Sequence, residues 1–345
     1  MKTIDDDVFK HATACVAAWK RPLLITHTKP DGDALGSMVA MQMILASQGR
    51  DPIALLYDRV PSRYDIFTPM APIVVMGAGA AEHELSTVDG IIILDTCAYS
   101  QLEPLADWLR TVALPKLIVD HHSTRDDVGD MYLIDESAAA NCLILYDWAR
   151  AAGWPLSVGA CVALFIGIAM DTGWFRHSNT DTRVLRAAAE LAERGADPHR
   201  LYQRLFLRET PARLHLLGEA LKDMELTLEG RIAIMVLARE AFSEARATQS
   251  DTEDIVGEPL RIASVLVSVL LADSGDGVVR MSLRSKTPIA QDDPDVDVAA
   301  VAQRFGGGGH RRAAGARTTG LLSDIRRDVL HRVTQALAGT PNRDA

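Results

Sequence analysis

Between residues 21 and 170 the chain repeats one pattern, in which a short, continuous apolar run ends in a carboxylate or a histidine and a helix-like stretch follows. Continuous apolarity is typical of strands that are covered on both faces, and the intervening lengths suit crossover helices. The pattern therefore predicts an α/β fold in which a parallel sheet carries helices on both faces. The apolar runs are residues 22–26, 90–94, 116–119 and 163–170.

The fourth run is open to two interpretations, because an apolar run of this length can form a strand or the end of a buried helix. We interpret it as a strand, in keeping with the three runs before it. After residue 222 a second alternation of strands and helices predicts a smaller α/β domain. Because 345 residues exceed the needs of one modest core, we predict two domains and a helical linker. The three segments are residues 1–185, 186–222 and 223–345.

Two charged segments have competing interpretations. The stretch from residue 183 to residue 213 is rich in arginine, and it forms either an amphipathic connector with a solvated face or, in part, a surface that faces an anionic ligand. We favour the solvated face. The acidic segment 292–297 is interpreted as a loop with a helix N-cap, in preference to a metal site.

Composition predicts a soluble, cytoplasmic protein that binds neither a membrane nor long duplex nucleic acid. The longest apolar stretches fall well short of the ~20 residues of a membrane span, and Asp5, Asp6 and Asp7 stand where a secretory signal would be basic. The four cysteines are scattered, so they predict neither a zinc site nor a redox pair. A formal net charge of -10 repels extended phosphate backbones, so a nucleic-acid substrate would be short.

The first candidate cluster consists of His27, Asp31 and Asp33, which follow the first apolar run. The carboxyl ends of parallel strands line the crevice where open α/β sheets bind their ligands. Pro30 and Gly32 interrupt regular structure, so the three side chains can turn toward one point. The alternative is an ordinary Asp-Gly turn, with Asp33 as the N-cap of a following helix.

Recurrence of acids and histidines at the later strand ends favours a shared site. Asp95 ends the second run, Asp120, His121 and His122 end the third, and Asp171 ends the fourth. Carboxylates packed this closely either take up protons or recruit cations. Oxygen and nitrogen donors without thiolates favour Mn²⁺ or Mg²⁺ over structural zinc. The number of donors exceeds the needs of one ion and indicates two divalent ions that share a carboxylate.

At these residues the sequence resembles the DHH phosphoesterase superfamily, which is named for an Asp-His-His motif. That motif is here Asp120-His121-His122, and it is accompanied by similar motifs at residues 27–33, 94–96 and 170–180. Residues 305–315 resemble the signature of the associated DHHA1 substrate domain. The resemblance implies a catalytic DHH domain in residues 1–185 and a DHHA1 domain in residues 223–345.

The resemblance also implies a role for each site residue. His27, Asp31 and Asp95 would hold one ion, and Asp95 would bridge to a second ion. His122 would act on the scissile phosphate, Asp120 would orient the histidines, and a metal-activated water would be the nucleophile. The ligands of the second ion would be Asp33, Asp95, His121 and Asp171.

A glycine run at residues 306–309 is interpreted as a phosphate-binding loop, with a plain turn as the alternative. Without β-carbons, Gly307, Gly308 and Gly309 can bring backbone N–H groups close to a phosphate. By resemblance to the family, the other substrate contacts would be Arg284, Ser285, His310 and Arg311. Gly257 departs from the pattern, because a polar residue is expected there, and this weakens any prediction of nucleobase recognition.

Within the superfamily, the sequence is most similar to the two-domain branch that acts on short RNA and on 3'-phosphoadenosine 5'-phosphate (pAp). We therefore expect a metal-dependent hydrolase, homodimeric and cytoplasmic, that cleaves 3'-5' phosphodiester bonds of short oligoribonucleotides and removes the 3'-phosphate of pAp. The compact chain and its negative net charge favour this branch over long-strand exonucleases. The alternatives are a cyclic-dinucleotide phosphodiesterase of the cyclic di-AMP type, an inorganic polyphosphatase and a non-catalytic nucleotide-binding regulator.

Overall fold

The structure is a computed structural model that describes residues 4–77, 80–273, 275, 277–288 and 294–338. The chain divides into two compact units between Arg208 and Glu209. The stretch predicted as a linker is therefore split, with its first part in unit 1 and its second part in unit 2. Residues 1–3 and 339–345 of the predicted domains, and Asp292 and Asp293 of the acidic segment, lie outside the described residues.

Unit 1 is built on a parallel sheet, as the apolar runs predict. Its strand order is β3-β2-β1-β4-β5-β6, and each described pair of neighbours is parallel. Successive strand residues face opposite sides, so Leu24 and Ile92 join one apolar core while Leu23 and Ile91 join another. The strands are β1 (Pro22–Ile25), β2 (Ile53–Leu56), β3 (Ile73–Val75), β4 (Gly90–Leu94), β5 (Lys116–Asp120) and β6 (Met131–Ile134).

Helices cover both faces of this sheet, which confirms the predicted fold class. The larger core joins the sheet to helices α1, α2, α5, α6, α7 and α8, and the smaller core joins it to α4 and a neighbouring 3-10 helix. The helices are α1 (Asp6–Ala17), α2 (Gly32–Ser47), α3 (Ala80–Leu85), α4 (Ala106–Thr111), α5 (Asn141–Ala151), α6 (Val158–Asp171), α7 (Thr182–Glu193) and α8 (Pro198–Phe206), with 3-10 helices at Ser62–Phe67 and Tyr99–Gln101.

The fourth apolar run is part of helix α6, so its interpretation as a strand is wrong. The helix begins earlier than the run, with Ser157 as its N-cap accepting a hydrogen bond from the Ala160 N–H. Its apolar residues extend over a length that suits a helix better than a strand. Small residues let α6 pack closely on α2, since a β-carbon at Gly36 would lie 2.6 Å from the Ala163 carbonyl oxygen.

Unit 2 is a mixed sheet with the strand order β11-β12-β10-β9-β8-β7. Helices α11 and α12 pack on one face, and α9 and α10 pack on part of the other. The strands are β7 (Glu225–Thr227), β8 (Ile232–Leu237), β9 (Val267–Asp273), β10 (Val279–Ser285), β11 (Gly308–His310) and β12 (Ala313–Thr318), and the helices are α9 (Pro211–Lys222), α10 (Arg239–Ala245), α11 (Val298–Gln303) and α12 (Leu322–Ala338).

Two local features of unit 2, and one property of the described helices, bear on the sequence predictions. Asp297 is the N-cap of α11, as expected for the acidic segment. The glycine run is partly a strand, because Gly308 and Gly309 belong to β11 and pair with β12. Among the described helices of the chain, none has the length and apolarity that crossing a membrane requires.

Candidate metal centre

The candidate site lies at the carboxyl ends of β1, β4 and β5. Strands β1 and β4 are neighbours in the sheet, although β2 and β3 lie between them in the sequence. The direction in which the chain adds strands to the sheet therefore reverses between β1 and β4. Such a switch point opens a crevice in which α/β proteins bind ligands. His27 follows β1, Asp95 follows β4 and His121 follows β5. Asp171 reaches the same site from the last residue of α6, not from a strand end.

Asp31 is both a helix cap and a candidate ligand. Its Oδ1 accepts hydrogen bonds from the N–H groups of Asp33 (2.9 Å) and Ala34 (3.1 Å), so Asp31 is the N-cap of α2. The alternative in which Asp33 caps this helix is therefore wrong. Asp33 instead lies in the first turn of α2 and is fully buried.

The N-terminus of α5 holds the Asp33 carboxylate. The Asn141 N–H donates to Oδ2 of Asp33, and the Cys142 N–H donates to its Oδ1 at 2.9 Å. Helix N-termini favour anions, and α5 has no capping side chain of its own. Asn141 also donates to the hydroxyl of Ser37 at 2.9 Å. These donors could not be predicted from the sequence, because backbone N–H groups have no side-chain signature.

Asp95 lies at the middle of the cluster. Its backbone has a left-handed φ of 61°, which a non-glycine residue rarely adopts. Its carboxylate lies 3.6 Å from Nε2 of His27, 3.3 Å from Nε2 of His121 and 3.8 Å from Nδ1 of His122. Oδ1 of Asp95 is buried, and no described residue donates a hydrogen bond to it. A buried carboxylate oxygen without a donor is costly, and a bound cation would satisfy it.

His121 presents Nε2 to three carboxylates. The nearest carboxylate oxygens lie 3.3 Å away on Asp95, 3.4 Å away on Asp171 and 3.9 Å away on Asp33. Its Nδ1 lies 3.2 Å from the Ala138 carbonyl oxygen and donates to it. A donated Nδ1–H leaves the lone pair on Nε2, which is the tautomer that a metal ligand needs.

His122 is more exposed than His121 and has a different partner. Its Nδ1 lies 2.7 Å from Oδ1 of Asp120, and 47% of its side chain is exposed. The same Asp120 oxygen accepts the backbone N–H groups of His121 (2.8 Å) and His122 (3.2 Å). Asp120 therefore orients the ring of His122, whereas the Ala138 carbonyl orients the ring of His121.

The predicted ligands, together with His122, form three groups, and within each group the donor atoms lie within 4.8 Å of one another. Asp95 belongs to two of the groups and His121 to two, so the groups overlap as a pair of adjacent sites would. The arrangement could hold divalent cations with oxygen and nitrogen donors. The groups are His27, Asp31 and Asp95; Asp33, His121 and Asp171; and Asp95, His121 and His122.

Without a cation, the cluster retains protons. Burial and the charge of Asp95 raise the pKa of Asp33 to about 7. Burial and the charges of Asp33 and Asp95 raise the pKa of Asp171 well above its ordinary value. Burial lowers the pKa of His121, but the adjacent carboxylate of Asp95 and the charges of Asp33 and Asp171 raise it to about 10. A metal ion would displace these protons.

We expect the stability of the metal-free protein to fall as pH rises. Asp33 and His121 both have folded pKa values above their ordinary values of 3.8 and 6.5, so the folded chain binds more protons than the unfolded chain. Their contribution is complete at low pH and is lost as pH passes through about 7 and about 10. Melting curves with EDTA and with saturating Mn²⁺ should show a larger metal-induced rise in Tm at about pH 8 than at about pH 6. An equal rise at both pH values would contradict this.

A left-handed turn follows Asp171. Gly173, Trp174 and Phe175 have φ values of 56°, 59° and 65°, and for residues with side chains this conformation costs about 1–2 kcal/mol each. Aromatic packing offsets the cost, since the rings of Trp174 and Phe175 lie 6.0 Å and 5.8 Å from the ring of Phe165. The turn therefore fixes the segment after Asp171 against the core of unit 1.

Some of the predicted substrate contacts of unit 2 lie at one end of three neighbouring strands. Arg284, Ala313 and His310 are aligned across β10, β12 and β11. His310 is exposed and Arg284 half-buried. Ser285 points the other way, and its buried hydroxyl donates to the Val296 carbonyl at 2.9 Å.

Two other predicted cations have carboxylate partners in the structure. Arg311 forms an ion pair with Asp295 at 2.7 Å, although almost half of its side chain is exposed. Arg183 lies in the stretch predicted to have a solvated face, and for this residue the prediction is wrong, because only 14% of its side chain is exposed and it bridges Asp135 and Asp147 at 2.7 Å each. It fixes α7 to α5 and to the segment that precedes α5, and it does not face a ligand.

Comparison with known proteins identifies relatives of both units. The sequence profile described as "DHH family, N-terminal domain" matches residues 22–168, and that of the "DHHA1 domain" matches residues 230–339. A protein of Thermus thermophilus, named bifunctional oligoribonuclease and PAP phosphatase NrnA, is 29% identical over 91% of this chain and 89% of its own length. A Bacillus subtilis protein of the same name is 25% identical over 85% of this chain and 88% of its own.

A solved structure shares the fold. An exopolyphosphatase-related protein from Bacteroides fragilis superposes with a TM-score of 0.88 at 21% sequence identity. The match covers 97% of this chain and 98% of that protein. At this identity the likeness concerns the fold alone.

Proposed function

Because the chain belongs to the DHH phosphoesterases and carries a DHHA1 domain after its DHH domain, we propose that it hydrolyses short oligoribonucleotides and pAp with the aid of divalent metal ions. The observation that carries the proposal is the set of overlapping donor groups around Asp95. The names of the two curated relatives, which cover most of the chain, support the choice of substrates.

In this proposal the metal ligands divide between two ions. His27, Asp31 and Asp95 hold one ion, and Asp95 also contributes to the other. Mn²⁺ is the favoured ion and Mg²⁺ the alternative, because the donors are carboxylate and imidazole without thiolate. When bound, the ions supply activation of a water for attack on phosphorus and neutralise phosphate charge. The ligands of the second ion are Asp33, Asp95, His121 and Asp171.

His122 is assigned the proton transfer. Its hydrogen bond to Asp120 raises the pKa of His122, so the imidazolium persists closer to neutral pH than for an ordinary histidine. With Nδ1 held by Asp120, the proton available for transfer is on Nε2. We assign His122 as the general acid that donates this proton to the leaving oxygen of the nucleotide as the P–O bond breaks.

Unit 2 is assigned the binding of substrate. We propose that Arg284, His310 and the backbone N–H groups of Gly307, Gly308 and Gly309 bind the phosphates, with Ser285 and Arg311 supporting that end of the sheet. In functional terms, residues 1–185 are the catalytic domain, residues 186–222 a linker and residues 223–345 the substrate domain.

A substrate panel tests the proposed function. We expect Mn²⁺-dependent release of mononucleotides from the diribonucleotide pApA and of inorganic phosphate from pAp, measured by ion-pair chromatography. Cyclic di-AMP and polyphosphate, at the same concentration, should be turned over much more slowly. Faster turnover of either control, or no turnover of pApA and pAp, would contradict the proposal.

We also propose that the protein works as a homodimer in the cytoplasm. Sedimentation velocity of the full chain tests the dimer, with a single species of twice the 37.5 kDa chain mass as the expected result. A single species at the chain mass would contradict it.

A further inference from the structure

The loop of residues 172–181 connects α6 to α7 and carries Asn179. Asn179 is exposed, but the nitrogen of its side-chain amide donates to two carbonyl oxygens, at 3.2 Å to that of Asp171 and at 3.3 Å to that of Ala139. An amide nitrogen carries two N–H groups, so both donors are used. The side chain therefore joins the end of α6 to the segment that precedes α5.

The two carbonyl groups that Asn179 joins have few other donors. Asp171 is the last residue of α6, where helix carbonyls lack intrahelical partners, and no backbone N–H of the described residues donates to its oxygen. Nδ1 of His177 lies 3.4 Å from that oxygen. For the carbonyl of the buried Ala139, Asn179 is the one donor within the part of the chain that the structure describes. Loss of the amide would leave that carbonyl unsatisfied, which is unfavourable.

At its first contact Asn179 acts on a candidate metal ligand directly. The carboxylate of Asp171 lies 3.4 Å from Nε2 of His121, and the backbone carbonyl of the same residue accepts the hydrogen bond from Asn179. Because this carbonyl and this carboxylate belong to one residue, a hydrogen bond that fixes the first also restricts movement of the second.

At its second contact Asn179 acts through a neighbouring peptide group. The Ala138 carbonyl, one residue before that of Ala139, accepts the Nδ1–H of His121 at 3.2 Å. Peptide groups are planar and successive groups share a Cα atom, so a shift of the Ala139 carbonyl also moves the Ala138 carbonyl. The orientation of the His121 ring, and with it the position of Nε2, therefore depends on Asn179.

Two ligands of the other ion are held in a different way. We call the ion assigned to His27, Asp31 and Asp95 the first ion. Asp31 is fixed as the N-cap of α2, and His27 follows β1. Both donors of Asn179 are used at the two carbonyl groups, so Asn179 holds none of these three side chains. Its effect is therefore expected on the second ion.

We propose that Asn179 is a positioning residue for the second ion. By joining Asp171 to the segment that orients His121, it sets the separation of two ligands of that ion, and it touches neither the ion nor the substrate. This inference rests on the proposed function, because the division of the ligands between two ions is taken from it.

The first test measures Mn²⁺ binding to the full chain by isothermal titration, without substrate. Asn179→Leu removes both donors and nearly keeps the size of the side chain, and Asn179→Ala removes the donors without adding apolar bulk. In both variants one of the two Kd values should rise about tenfold and the other should keep its wild-type value, since loss of a hydrogen bond behind a metal ligand costs about 10–100-fold in affinity.

Ser178→Ala is the control in the same loop. Ser178 is exposed, and its hydroxyl has no hydrogen-bond partner among the described residues. This variant should bind both ions as wild type does. Wild-type Kd values in Asn179→Leu and Asn179→Ala, or an equal rise of both Kd values, would overturn the positioning role.

Two backgrounds that each lack one ion show which ion is affected. In His27→Ala the second ion remains, and adding Asn179→Leu should raise its Kd about tenfold. In Asp171→Ala the first ion remains, and the same addition should leave its Kd unchanged. A change in the Asp171→Ala background, or no change in the His27→Ala background, would overturn the inference. A general loss of structure would instead raise the Kd in both backgrounds.

These titrations also separate the inference from the proposed function, because they require no hydrolysis. If Asn179→Leu weakens one ion selectively while wild type hydrolyses neither pApA nor pAp, the positioning role stands and the proposed function fails. If wild type binds two ions and hydrolyses both substrates while Asn179→Leu binds Mn²⁺ as wild type does, the positioning role fails and the proposed function stands. If wild type binds fewer than two ions, both fail.

Discussion

Replacing Asp95 with asparagine is expected to lower Mn²⁺-dependent hydrolysis of pApA by ~1000-fold or more, because metal activation of the attacking water depends on it. Asp95 belongs to two of the three donor groups, and one of its carboxylate oxygens is buried without a hydrogen-bond donor. The amide keeps the shape of the side chain but removes the charge that two cations would share. Steady-state kinetics with pApA and pAp measure the loss.

Asp107→Asn is the matched control, since the side chain of Asp107 is 98% exposed and lies on α4. It should have wild-type activity. Circular dichroism should show that Asp95→Asn remains folded, because the neutral amide also relieves repulsion among the remaining carboxylates. Activity of folded Asp95→Asn within tenfold of wild type would contradict the bridging role.

The second large effect is expected from Gly167→Ala on α6. A β-carbon at Gly167 would lie 2.7 Å from Oδ1 of Asp33 and would also clash with the Cys142 sulfur. Overpacking of this kind costs about 1–3 kcal/mol of stability. A displacement of about 1 Å in a ligand can cost about 100-fold in rate. We therefore expect about a 100-fold lower kcat and weaker binding of the second ion.

Gly159→Ala provides the control within the same helix. A β-carbon there would be crowded by the end of the flexible Met43 side chain, 2.6 Å away at Cε, and would make ordinary contact with the Ser157 hydroxyl at 3.8 Å; neither residue is a candidate ligand. Alanine favours the helix by up to ~1 kcal/mol over glycine, so this variant should retain activity and stability. If Gly167→Ala loses stability but binds two ions as wild type does, close packing against Asp33 does not determine the geometry of the site.

Strand ends were the part of the site that the sequence could predict. His27, Asp95 and His121 each follow a continuous apolar run, and the carboxyl ends of neighbouring parallel strands converge in any doubly wound sheet. The position of each of these side chains thus follows from the strand directly before it, and only the order of the strands in the sheet must come from the structure. In that order β1 and β4 are adjacent.

Asp171 shows where periodicity is insufficient. The run before it is apolar on every side, because α6 is buried between other helices as fully as a central strand is between two layers. A pattern without alternation cannot distinguish these environments, and only the apolar residues upstream of the run favour a helix. Both interpretations place Asp171 at the site, because a strand and a helix over this run would each end at that residue.

The contacts that hold Asp33 could not be predicted from the sequence. Its hydrogen-bond donors are backbone groups of Asn141 and Cys142, more than 100 positions later in the chain.

Strand β12 could not be predicted from its small residues either. Alanine and glycine carry little β propensity, and Ala314 and Ala316 are strand residues because β10 and α11 pack against them.

Anomalous diffraction from crystals grown with Mn²⁺ tests whether two ions share Asp95. We expect two anomalous peaks, separated by about 3.5–4 Å, with one Asp95 oxygen on each or one oxygen between them. His27 and Asp31 should contact one peak, and His121 and Asp171 the other. A single peak, or two peaks of which neither contacts Asp95, would show that Asp95 does not bridge two ions.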